Sequence, residues 1–174
     1  MSRMHAMDYR ERHTLFRAHA TALLNGDAAE TDRTQRLIYP DHALAHHVFA
    51  LALFATCVDD HFGDYLDWAR LDVLIERVRR AAPGVSPLKT EALIRACYDE
   101  PHLLLEVSQS EQLASIWVVC RLIVGGEPTE AALAELYEQA EEVGRDTVRG
   151  VFAASQLHAW RVTFGDGDTE EEPE

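Results

Sequence analysis

Residues 41–63 read DHALAHHVFALALFATCVDDHFG. The stretch reads as a helix: Asp41 is a residue type that caps N-termini, and Gly63 supplies the turn that closes a C-terminus. Its apolar run covers about two-thirds of the ~20 residues needed to cross a bilayer, so a core helix is the expectation.

Similar punctuation recurs on both sides. A first helix is expected over residues 6–24, with Leu15, Phe16, Leu23 and Leu24 inward and Asn25-Gly26 as its stop. A short polar helix follows over about 28–38 and ends before Pro40. Beyond Gly63, Asp64 caps a helix to about Ala82, whose stripe is Leu66, Leu71, Leu74, Ile75 and Val78. PGVSP closes it, and a fifth helix spans roughly 88–98.

The segment 101–124 is apolar nearly all round in its second half, which marks it as the expected central, buried helix. Thr129 then caps a long segment in which Leu133, Leu136, Ala140, Val143, Thr147, Val151, Ala154 and His158 hold one face. Gly144 and Gly150 are candidate kinks within it. β-Branched alternation is scarce throughout. The predicted fold class is all-α: a single bundle of six to eight helices over residues 1–164, then a disordered acidic tail over 165–174.

Composition narrows function mainly by exclusion. Thirty acids against sixteen bases give a net charge of −14, and Lys89 is the only lysine. The tail GDGDTEEEPE holds six of those acids and no base. Such a surface repels phosphates and anionic lipids, so neither nucleic acid nor membrane is an expected partner. Low lysine with excess carboxylate fits a protein adapted to high salt. The beginning of the sequence lacks an apolar signal-peptide core, so the expected location is cytoplasmic. Cys57, Cys97 and Cys120 are widely spaced, without a C-x-x-C pair, and are expected to be free buried thiols.

Chemistry-bearing motifs are sparse. No G-x-S-x-G, phosphate-binding glycine-lysine loop or G-x-G-x-x-G occurs. His42 and His46 have the four-residue spacing that can place two imidazoles on one metal, but no accompanying acid in an E-x-x-H pattern. His158, on an apolar stripe, reads as a core histidine. The remaining candidate is VDDHFGD, residues 58–64. Gly63 and Asp64 are accounted for by helix punctuation, whereas Asp59 and Asp60 oppose the helix macrodipole. A nearby positive charge is therefore expected: Arg70, His61, another arginine or a bound cation. Carboxylates at Asp59, Asp60 and Asp64 suit Mg²⁺, which takes one or two protein carboxylates and fills its shell with water and phosphate.

The stretch YPDHALAHHVFALALFATCVDDHFGDY, residues 39–65, resembles the region around the aspartate-rich motif of bacterial class I terpene synthases. The resemblance implies a helical fold in which Asp59, Asp60 and Asp64 bind magnesium and a substrate diphosphate. It does not extend to the family's second magnesium motif. The nearest segment, from Asp146, has Gly150 and Ala154 where that motif has a hydroxyl residue and a glutamate.

The expectation is thus a small acidic interaction module that binds a protein partner or forms a homo-oligomer, with no cofactor. The alternative is a divalent-cation-dependent enzyme acting on a phosphorylated or isoprenoid diphosphate substrate, with Mg²⁺ at Asp59, Asp60 and Asp64.

Overall fold

A computed structural model describes residues 8–126 and 128–164, with side chains described as far as Thr147. Among these residues the protein is all-α, with seven α-helices, one 3-10 helix and no strand. The order is α1 (Tyr9–Asn25), α2 (Ala28–Ile38), α3 (Ala43–Phe62), α4 (Trp68–Ala81), α5 (Pro87–Ala96), the 3-10 helix Pro101–Glu106, α6 (Gln109–Val124) and α7 (Glu130–Phe164). The expected acidic tail lies outside the described residues.

Local chemistry sets most boundaries. Asp8 and Glu11 form a capping box: the Asp8 side chain accepts from the Glu11 amide at 2.8 Å, and Glu11 accepts from the Asp8 amide at 2.9 Å. That reciprocal pair starts α1 at Tyr9, three residues later than expected. Ser108 and Glu111 repeat the device at α6, separating it from the preceding 3-10 helix within the expected 101–124 segment. Thr129 caps α7 as expected, its hydroxyl accepting from the Ala132 amide at 3.2 Å.

Two expected caps are corrected. Asp41 does not cap α3; His42 takes that position without a side-chain bond. Asp64 does not begin α4; Asp67 does, accepting from the Ala69 and Arg70 amides. Gly63 closes α3 with φ 78° and ψ −154°, a conformation costly for a side-chain-bearing residue, and the chain then needs four more residues to turn into α4.

The expected central helix is surrounded on most sides: α6 packs against α1, α3, α4 and α5, whereas α3, which buries eleven residues to the five of α6, packs chiefly against α6 and α7. One apolar cluster draws on every α-helix, with Phe16, Ile38, Phe54, Leu74, Ile94 and Ile116 among its members. By length and composition α3 is apolar enough to cross a membrane, but 56% of its apolar window is buried inside the bundle, as in a core helix.

Neither glycine divides α7, which is continuous from Glu130 to Phe164. A Cβ at Gly144 would come within 3.5 Å of the Ala52 methyl, so this position is a close helix–helix contact rather than a kink.

Candidate functional site

The C-terminal end of α3 displays the acids singled out by sequence. Asp59 and Asp60 are exposed on its last turn, and Asp64 is exposed beyond the Gly63 turn. Asp59 and Asp60 line an open groove of about 660 Å³, whose far wall includes Glu142 and Asp146 of α7. Asp64 is not part of that lining. Because α3 stops at Phe62, Asp64 does not continue its helical face. No group of three or more His, Cys, Asp or Glu side chains among the described residues is arranged to hold a metal ion.

The positive charge expected at this helix end is present. The Arg70 guanidinium donates to the His61 carbonyl and lies 5.6 Å from the centre of the Phe62 ring. It neutralises the carbonyl end of α3, the place where Asp59 and Asp60 are unfavourable. Asp60 is nevertheless held above the usual carboxylate range, by partial burial first and then by Asp59 and Glu135. His61 is held below the usual histidine range by burial, then by Arg70 and Arg77.

Cys97 and Tyr98 border the same groove. Cys97 is exposed as a residue, correcting its expected burial, while Cys57 and Cys120 are buried. Desolvation, then Asp59, pushes the Cys97 thiol up to about 12, and the Tyr98 hydroxyl is likewise pushed up to about 12. Both stay protonated at neutral pH, so the groove contains no ready thiolate or phenolate nucleophile.

The histidine pair does not form a site. His42 sits at the start of α3, whereas His46 is only 1% exposed and packs among Phe16, His19, Tyr39 and Trp117. Neither His46 ring nitrogen has a hydrogen-bond partner among the described residues. Burial, then His19 and His47, lowers its pKa to about 3, so the ring is neutral. His19 and His47 are satisfied instead, at 2.8 Å from the Thr34 hydroxyl and the Gln112 carbonyl oxygen respectively. The His158 side chain lies outside the described ones.

A second surface is legible only in three dimensions. An apolar groove of about 490 Å³ opens where the start of α1, the first half of α3 and the middle of α7 meet. Phe16 and Phe49 are buried at this junction, whereas Leu44 is 72% exposed and Tyr9 51% exposed. Glu141 also lines it, but its carboxylate is occupied: Arg17 donates two bonds, of 2.7 and 2.9 Å, and His13 Nδ1 lies 2.9 Å away. Burial acts to raise the Glu141 pKa, but the bonds from Arg17 and the nearby His13 outweigh it and the net shift is downward. Arg12 and Arg145 flank the groove, and neither forms an ion pair among the described residues. In a chain of net charge −14, the groove combines a neutralised acid, exposed apolar side chains and two guanidinium groups without an ion pair among the described residues.

No single motif announces this groove. Tyr9, Leu44 and Arg145 come from three distant parts of the chain, and only the packing of α3 against α7 brings them to one surface. The chain matches no known protein family, no curated protein and no solved structure.

Proposed function

We propose that the protein is a non-catalytic interaction module, and that the groove between α1, α3 and α7 is its docking face. The supporting observation is the juxtaposition of exposed Leu44 and Tyr9 with buried Phe16 and Phe49 in one apolar groove. Fully burying a leucine side chain stabilises a contact by about 1.5–3 kcal/mol, enough to make Leu44 an anchor. The test is the mass of the full-length chain by sedimentation equilibrium, for wild type and Leu44→Asp. Self-association that weakens in the variant supports the reading; a wild-type monomer at high micromolar concentration overturns it in its homo-oligomeric form.

A second reading retains a specific observation. Asp59 and Asp60 share a groove with Glu142 and Asp146, an acidic lining suited to a cationic ligand. A divalent-cation enzyme would use Mg²⁺ there, and Mg²⁺-dependent stabilisation that disappears in Asp59→Asn/Asp60→Asn would favour it over the interaction module.

A further inference from the structure

α7 is too long for the helix it packs on. Its 35 residues extend about 52 Å, against about 30 Å for the 20 residues of α3. The Gly144–Ala52 contact sets their register, and the helices run antiparallel: Leu133 and Leu136 lie near Cys57, while Gly144 and Arg145 lie near Val48 and Ala45. Ala52 is nine residues from the start of α3, and Gly144 is twenty from the end of α7. About eleven residues of α7, roughly 16 Å of helix, therefore reach past the start of α3.

The sequence pattern does not stop at that edge. In the sequence, the stripe through Ala140, Val143 and Thr147 continues at Val151, Ala154 and His158; Ala140 is buried, but Val143 is 40% exposed and Thr147 is exposed, so part of this stripe is left uncovered by the bundle. A continuous helix cannot turn back into the groove that its own residues Ala140–Arg145 help to line.

We infer that the groove between α1, α3 and α7 receives the projecting end of α7 from a second copy of this chain. The exchange is mutual: each copy supplies one helix end and one groove, so a two-fold arrangement closes at two chains and leaves no open surface to propagate. Charge supports the same occupant. The six acids of GDGDTEEEPE follow α7 directly, and Arg12 and Arg145 beside the groove have no acidic partner among the described residues. In this arrangement the apolar stripe fills the groove, and the acidic segment places its charge near the two arginines of the other copy. Added salt should weaken the association through the second contact.

This inference rests on the proposed docking role of the groove, and full-length variants separate the two. Leu44→Asp spoils the groove but leaves the helix end intact; Val151→Asp/Ala154→Asp spoils the helix end but leaves the groove. Sedimentation equilibrium should give a wild-type dimer and raise the dissociation constant of each variant at least about tenfold, with helical circular dichroism retained. Mixing the two variants should restore association, because the intact groove of one meets the intact helix end of the other. If the Leu44→Asp variant dissociates but Val151→Asp/Ala154→Asp remains dimeric, the helix exchange is wrong and the groove reading stands. Variants that both dissociate and fail to associate when mixed also overturn the exchange, and a monomeric wild type overturns the exchange together with the homo-oligomeric form of the groove reading.

Discussion

The two ends of α3 treat polar groups in opposite ways. Near its start, His46 and His47 are withdrawn into the bundle; at its finish, Asp59 and Asp60 stay in solvent. Histidine can enter the core as a neutral ring, although His46 does so with both nitrogens unpartnered. A carboxylate has no equally accessible neutral form at pH 7, so it stays at the rim beside Arg70 and the open groove. Asp59 and Asp60, the more conspicuous sequence motif, thus contribute less to packing than the two histidines. The end with the quieter sequence adjoins the apolar groove.

The sharpest way to break this contrast is to remove packing from the middle of α3 and compare it with the loss of acids. Phe54→Ala, at a fully buried position, should cost about 3–5 kcal/mol in urea unfolding. A loss below that range would mean that the bundle relaxes around α3 and that the buried part of α3 carries less of the stability than its burial implies.

Acid titration sharpens the contrast at the histidine end. The folded-state pKa of His46, about 3, lies below the ordinary value of 6.5, so the unfolded chain binds the proton first. Its contribution is full above pH 6.5 and is lost as pH falls toward 3, at about 1.4 kcal/mol per pH unit. Thermal unfolding between pH 7 and 4 should show that slope, and His46→Phe should reduce it. The same variant should gain roughly 1–2 kcal/mol at pH 7, because the ring remains and two orphaned nitrogens are removed. An unchanged slope would show that other groups control acid stability.

Glu141 lies beside the docking groove and should have an intermediate effect. Glu141→Gln breaks the two-bond fork with Arg17, and a partly solvated pair of this kind is worth about 1 kcal/mol. The cost should shrink in high salt. A cost that does not change with salt would indicate packing rather than charge.

The smallest effects belong to the acids. Asp59→Asn and Asp60→Asn should each be neutral or stabilising by about 0.3–1 kcal/mol, since each removes a negative charge from a helix C-terminus. Millimolar Mg²⁺ should leave the melting temperature unchanged. A stabilisation of several degrees that disappears in the double variant would reverse the ranking of the two functional readings.

Sequence alone was sufficient for the fold class, because helix punctuation is local. Gly26 follows α1 in a left-handed turn, Pro87 opens α5 behind the Ser86 cap, and Thr129 opens α7, each acting on its own few residues. The charge imbalance and the exposed Asp59 and Asp60 were legible for a similar reason, since they depend on residue type and on the end of one helix. How burial divides between α3 and α6 was not. Both are strongly apolar, yet α3 buries eleven residues and α6, which packs on more helices, buries five, a division that only the assembled bundle decides. Asp64 was misplaced because a turn of four residues after Gly63 cannot be told from immediate helix entry when Asp64 and Asp67 are equally good caps. The apolar groove was beyond sequence altogether. Leu44 has the same local pattern as its buried neighbours, and only the packing of α1 and α7 around α3 decides which of those side chains is covered and which faces a groove open to a partner.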